Sequence, residues 1–307
     1  MITIKGENMP VHCVLTMGKF EGIHMGHRAL IAKVRELAQK EASCATAIMT
    51  FDPHPQHVLG DPGYKPLFTN CERAYLLAGL GLDYLLEYPF VAKTAALSPE
   101  EFCRKLFTDL QARVVVVGEG YRFGHKRAGS VDTLQKYAAM YGAKVCEIAH
   151  VSPSGDKKTK ASTSTIREQL AAGDIDGATS LLGFPFFIMG EVTKGRQLGR
   201  TIDCPTMNIY PPEDKFLPAY GVYASHTVID GKAFKSITNI GIRPTVSGKS
   251  PSVETHLLGG DYGDMYGRQI CVELTRFVRP EMRFESLEAL KVQIAEDINE
   301  IGQGVIV

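Results

Sequence analysis

The sequence has no excess of charge of either sign, no CxxC pair and no apolar run approaching a membrane span, and each absence removes a class of function. Lysine and arginine balance aspartate and glutamate at 34 each, so no net field draws the chain to nucleic acid or to an anionic membrane. Seven cysteines stand at 13, 44, 71, 103, 146, 204 and 271. They form no CxxC and no Cys/His cluster with zinc spacing, which points to reduced thiols and excludes both a disulfide framework and structural zinc. The longest apolar run is of the order of VVVV at 114 to 117, far short of the roughly 20 residues a bilayer requires. The N-terminus has no apolar core of a signal peptide, and a cytoplasmic location is expected. Internal repeats and low-complexity segments are also missing. What remains, at 44% hydrophobic and 22% charged over 307 residues, is an ordinary globular composition with room for two cores.

The first half alternates strand-like and helix-like stretches. Val11 to Met17 is an apolar run ending at glycine. Leu30, Ile31, Val34, Leu37 and Ala38 then recur at helical spacing, and Ala45 to Phe51 reads as a second buried strand. RVVVVG at 113 to 118 and Val145 to Ala149 add strands, with helices over Pro99 to Leu110 and Val131 to Tyr141. This pattern predicts an α/β fold, a parallel sheet covered by helices, with ligands at the carboxyl ends of its strands. Two short helices, Ser164 to Ala172 and Ile175 to Leu182, precede a change of texture near Gly183. Beyond it FFIMGEV, GVYASHTVI, KSITNIGI and QICVELTRFV are short runs broken by Gly, Pro and Asp, the pattern of a small antiparallel β-barrel. From Ser286, a plausible N-cap, Leu287, Leu290, Ile294, Ile298 and Ile301 fall on one helical face expected to pack on the barrel. Domains 1–183 and 184–307 follow, with net charge +2 through residue 185 and −2 after it.

GKFEGIHMGH, residues 18 to 27, sits at the carboxyl end of the first predicted strand. Glycines let backbone approach a ligand, and the start of the next helix offers unpaired N–H groups and a partial positive charge, so phosphate is the natural guest. His24 and His27, three apart across Gly26, are placed to stabilise charge developing on that phosphate. Read alone, the same pair is also compatible with two surface histidines at a helix cap. In the second half, GEVTKGRQLGRTIDCPTMNI, residues 190 to 209, is a basic glycine-bearing loop, with Lys194, Gly195, Arg196, Gly199 and Arg200, suited to a polyphosphate. Thr206 and Asn208 follow on alternate positions of a strand, two oxygen-bearing side chains on one face, and oxygen ligands suit Mg²⁺.

GKFEGIHMGH together with ASTSTIREQL, where Ser164 and Arg167 form an [ST]xxR, resembles the nucleotidylyltransferase superfamily. With FDPHP at 51 to 55 and VGEGYRFGHKRAG at 117 to 129, the first half resembles the adenylyltransferase module of bacterial bifunctional riboflavin kinase/FAD synthetases. PTxN at 205 to 208, LPAYGVYA, NIGIRPTV, VETHLL and RPEMRF at 279 to 284 resemble the riboflavin kinase domain, in the same order. The resemblance implies a Rossmann-like nucleotidylyltransferase domain and a β-barrel kinase domain with a terminal helix. It implies riboflavin, FMN, FAD and ATP as substrates and products, Mg²⁺ as the ion, and neither nucleic acid nor membrane as a partner. It further implies His24, His27 and Arg167 as catalytic groups for adenylyl transfer, and Gly18, Phe20, Gly26 and Ser164 at that nucleotide. Glu254 is implied as the base that accepts the ribityl hydroxyl proton, Thr206 and Asn208 as metal ligands, and Gly195, Gly199 and Arg200 as nucleotide-binding. Pro53, Phe123, Arg279 and Glu281 are implied at the flavin.

Four places depart from the family, one of them Ser162-Thr163-Ser164, where SST is usual. Glu21 stands where Asp is usual, Gly120 where Asn or Asp precedes the aromatic, and Asp203 where Gly precedes PTxN. Glu21 and Gly120 keep open a kinase with weak or lost FAD synthesis, and a non-catalytic flavin- and nucleotide-binding regulator stands beside it.

Overall fold

The computed structural model describes residues 1–41, 43–149, 162–195, 204–245, 248–259 and 263–303, with backbone alone at 243–245, 248–249 and 302–303. Gly199 and Arg200, together with Arg196, Asp203 and the basic run 157–160, lie outside the described residues. The chain divides into two compact units, Met1–Thr163 and Ser164–Val307. The helices over 164–182, read from sequence as the end of the first domain, therefore belong by packing to the second unit. No described helix is long and apolar enough to cross a membrane.

The first unit is built on six parallel strands: β1 (Ile2–Lys5), β2 (Cys13–Met17), β3 (Ala45–Asp52), β4 (Tyr84–Pro89), β5 (Ala112–Gly118) and β6 (Lys144–Ile148). Their order is β1-β4-β3-β2-β5-β6. β2 lies at the centre with every residue buried, as a strand covered on both faces must be, and its apolar run carries that burial. Local chemistry sets the helix starts. α1 is Met25–Ala38 and α2 Pro55–Leu59. α3 (Asn70–Ala78) and α5 (Pro99–Thr108) open on full capping boxes, Thr69 with Glu72 and Ser98 with Glu101, each satisfying two orphan N–H groups. The single turn α4 (Ala92–Ala95) lies between them, and α6 (Val131–Met140) is capped by Ser130.

In the second unit α7 (Thr163–Ala172) and α8 (Ile175–Leu182) bury Ile166, Leu170, Ala178 and Leu182. Six antiparallel strands follow: β7 (Phe187–Glu191), β8 (Met207–Ile209), β9 (Gly221–Ile229), β10 (Lys232–Thr245), β11 (Gly248–Leu257) and β12 (Gln269–Pro280). They run β7-β12-β9-β10-β11-β8, and the bridge Thr193–Asn208 brings the two ends together, so the barrel is nearly closed. Its interior holds Tyr223 and Val253 beside five buried hydroxyls. Ser225 Oγ meets Ser236 Oγ and Thr238 Oγ1 at 2.8 Å, Thr227 Oγ1 meets Ser236 Oγ at 2.8 Å, and Thr238 Oγ1 meets Thr255 Oγ1 at 2.9 Å. Ser225 also donates to the Ser236 carbonyl at 3.1 Å. That fixes every proton: Ser236 and Thr238 donate to Ser225, Thr227 to Ser236, and Thr255 to Thr238.

The terminal helix α9 (Leu287–Gln303) forms as expected, and the Ser286 hydroxyl accepts from the Ala289 N–H at 3.1 Å. Its apolar stripe is less buried than its spacing predicts. Leu287 is 51% exposed, and the deeply buried residue is Asp297 at 3%. Arg279 of β12 donates to Asp297 through Nε at 2.9 Å and Nη2 at 2.7 Å. A charge-assisted clamp, rather than the leucine and isoleucine stripe, is the deepest attachment of this helix.

Candidate active sites

At the carboxyl end of β2 the chain turns through Gly18 to Ile23 into α1. Gly18 N–H donates to the Met49 carbonyl at 3.1 Å and Thr50 Oγ1 to the Lys19 carbonyl at 3.0 Å, so β3 holds the turn in place. Phe20 and Ile23 both have φ of 45°, a left-handed conformation that costs a non-glycine residue energy and needs surrounding structure to maintain it. Both side chains are fully buried, which supplies that structure. His24 is the N-cap residue of α1 but makes no side-chain cap, and the first turn carries no acidic side chain. The helix start therefore keeps its partial positive charge for a ligand.

His24 and His27 stack with ring centroids 3.8 Å apart, and Phe20 packs against His27 at 4.9 Å. Gly26 lies close beneath the first ring, where a Cβ would sit 3.2 Å from His24 Cε1 and press on it. The two Nδ1 atoms are sealed from solvent and meet no hydrogen-bond partner among the described residues. Burial pushes His24 down to about 4 and His27 well below its usual value, with His24 adding to the second shift. Both rings are neutral near pH 7, and an arriving phosphate favours their protonation.

Pro53 follows β3 and is exposed at the same end of the sheet. Phe123 is 5% exposed and packs on Phe102 at 5.5 Å, with its ring against Gly129. It is thus a core residue backing Tyr121, which stacks on it at 6.1 Å. Gly120 has φ of 71°, and a Cβ there would meet nothing within 4 Å. Asn and Asp are the non-glycine residues best suited to this conformation, so glycine keeps the backbone role of the residues usual there. The Glu21 carboxylate is also accounted for: Tyr64 Oη donates to it at 2.5 Å and the Leu67 N–H at 3.1 Å. In the second unit Ser164 is exposed near the start of α7, and the Arg167 guanidinium lies 4.8 Å from the Phe216 ring centroid.

The barrel brings three of its candidate residues, Asn208, Glu254 and Arg279, into one row. Asn208 pairs with Glu254, Glu254 with Asn239, Asn239 with Val222 and Val222 with Arg279. Directly opposed residues share a face with Cβ atoms about 4.5–5.5 Å apart. The interior hydroxyls of Thr238 and Thr255 occupy the alternate positions, which puts this row on the other face. Gly195 lies against the Asn208 carboxamide, and Gly241 lies against the Glu281 carboxylate, where a Cβ would collide. Asn239 and His256 are additions that the spacing did not reveal. His256 Nδ1 donates at 2.8 Å to the Pro205 carbonyl, tying the turn before Thr206 to β11. Among the described residues no group of three or more His, Cys, Asp or Glu is placed to hold a metal. Thr206 and Asn208 instead offer neutral oxygens, which suit a hard cation held largely by phosphate.

Family profiles match twice: FAD synthetase over residues 7–164 and riboflavin kinase over residues 182–304. The bifunctional riboflavin kinase/FMN adenylyltransferase of Escherichia coli strain K12 is 38% identical over 288 residues, covering 93% of this chain and 90% of that protein. Its Bacillus subtilis strain 168 counterpart is 34% identical over 292 residues, covering 94% and 90%. A crystal structure titled as a macrolide-efflux protein from Streptococcus pneumoniae overlays with a TM-score of 0.87 at 27% identity, covering 99% of this chain and all of that one.

Proposed function

The chain belongs to the bifunctional riboflavin kinase/FMN adenylyltransferase family, and from that premise we propose how its residues divide the two reactions. ATP phosphorylates riboflavin to FMN in the kinase part, and a second ATP adenylylates FMN to FAD with release of pyrophosphate. The observation that carries this reading is that the two family matches follow one another along the chain with only 165–181 between them. The functional division is drawn at 183, with the adenylyltransferase over 1–183 and the kinase over 184–307.

In adenylyl transfer an FMN phosphate oxygen attacks the α-phosphorus of ATP, and the bond to pyrophosphate breaks. The turn at Gly18, Phe20 and Gly26 and the first N–H groups of α1 hold the nucleotide phosphates. His24 and His27 hydrogen-bond the phosphoryl oxygens as charge builds on them. Pro53 borders the flavin, and Phe123 supports it from the core. By the family resemblance, Ser164 binds the nucleotide and Arg167 clamps its phosphate as a catalytic group. In the kinase reaction Glu254 accepts the ribityl 5′-hydroxyl proton as that oxygen attacks the γ-phosphorus and ADP leaves. Asn239, in register beside it, is placed to orient the same hydroxyl. Thr206 and Asn208 would hold Mg²⁺, which when bound screens the phosphate charge. Gly195, Gly199 and Arg200 belong to the nucleotide loop, while Arg279 and Glu281 border riboflavin, with Arg279 anchored by Asp297.

Two substitutions separate the reactions. His27→Ala should lower FAD formation from FMN about 10²–10³-fold and leave FMN formation within about twofold. Glu254→Gln should lower FMN formation about 10²–10⁴-fold and leave FAD formation from supplied FMN intact. Equal loss of both activities in either variant would refute the division.

A further inference from the structure

We infer that Glu21 is a positioning residue which fixes the flavin side of the adenylyltransferase site to its phosphate side, an inference that rests on the function proposed above. Glu21 lies in the turn between β2 and α1, three residues before His24, and is 3% exposed. Its carboxylate accepts from Tyr64 Oη at 2.5 Å and from the Leu67 N–H at 3.1 Å, drawing in a loop more than forty residues farther along the chain. His54 completes the arrangement. Its Nδ1 accepts from the Gln56 N–H at 3.2 Å, so the neutral ring carries its proton on Nε2. That atom lies 3.6 Å from Glu21 Oε2, and the ring stacks on Tyr64 with centroids 4.6 Å apart at 12°. The bonds that the buried carboxylate accepts from Tyr64 and Leu67 are charge-assisted and among the stronger polar interactions available, whereas His54 Nε2 at 3.6 Å lies beyond hydrogen-bond reach and the ring contributes through its stack on Tyr64.

The two sides that Glu21 joins are unequally secured. The turn is held by β3 through Gly18 and Lys19, independently of the carboxylate. The loop is exposed from Val58 to Gly63, and its return path is held at Tyr64 by Glu21, the His54 stack and His57 Nε2 at the Tyr64 carbonyl, and at Leu67 by Glu21 and burial, so Glu21 is the side chain that ties both of these points to the turn. Losing the carboxylate should therefore loosen Tyr64 and Leu67 and, through the His54 stack, the neighbouring Pro53, rather than His24 and His27. Flavin binding should suffer while nucleotide binding does not.

Glu21→Gln is expected to raise KM for FMN about tenfold, with KM for ATP and kcat within about threefold and riboflavin kinase turnover unchanged. Tyr64→Phe, a milder change that keeps the ring stack, should act in the same direction, and the double variant should be no worse than Glu21→Gln alone. Hydrogen exchange without ligands should show faster exchange at 64–68 in Glu21→Gln and no change in α1. An effect confined to kcat or to ATP, additivity of the two substitutions, or unaltered exchange at 64–68 would overturn the assignment. Wild-type protein that forms no FAD would instead overturn the function it rests on, with the exchange result still judging the strut.

Discussion

Acid should weaken the first unit specifically, because three of its histidines are held neutral. Burial is the leading cause that lowers His24 and His54 from 6.5 to about 4, and it drives His27 down as well. Between those values the unfolded chain binds protons that the folded chain does not. The stability is therefore complete above about pH 6.5 and is lost progressively as pH falls towards 4. At about pH 5 the linkage relation gives about 2 kcal/mol for each of His24 and His54, or about 4 kcal/mol for the two, with His27 adding in the same direction. Urea titrations at about pH 7.5 and about pH 5, followed by hydrogen exchange on peptides from Met1–Thr163, measure the loss. A His24→Asn/His54→Asn protein controls for carboxylates, and Asn retains the N-cap function at 54. The drop should be smaller in this variant by about 4 kcal/mol. An equal drop in wild type and variant would refute the burial argument.

Other outcomes follow from the second unit and from Gly120. Thr238→Val strands the buried Thr255 proton and should cost about 1–3 kcal/mol, whereas adding Thr255→Val removes the stranded donor, so the double variant should be less destabilised than the sum by urea midpoint. Asp297→Asn should cost about 2 kcal/mol, below the range for a fully buried pair because Arg279 is partly exposed, with faster amide exchange confined to α9 and its β12 contact. Gly120→Asn should preserve FAD synthesis. Gly120→Val should lower the melting temperature of the first unit, by about 1–2 kcal/mol of stability, because a β-branched residue resists positive φ.

β2 (CVLTM) and β5 (ARVVVVG), flanked by neighbours on both sides, are legible in the sequence because they are almost wholly apolar, with Thr16 the one polar residue of β2 and Arg113 of β5 pointing out. β1 and β4 were not anticipated because ITIK and YLLEYP mix apolar with charged positions. Glu87 of β4 is buried 3.7 Å from Arg73, a pairing no local window reveals. The same limit explains Asp297, which sits inside the predicted apolar face of α9 and finds its partner on β12. For the proposed sites, the glycine turn, the HxGH pair and PTxN stand out in the sequence because their spacing is local. Glu21 read as a departure beside the phosphates, yet its partners lie at 54, 64 and 67. Asn239 and the row it joins became visible only once strand register placed five strands side by side.

The most direct test is a time course of the purified protein with riboflavin and ATP, separating riboflavin, FMN and FAD and measuring pyrophosphate. FMN should appear first and then FAD, with one pyrophosphate for each FAD. Accumulation of FMN alone, without FAD or pyrophosphate, would contradict a working adenylyltransferase, and unchanged riboflavin would contradict the account of both sites.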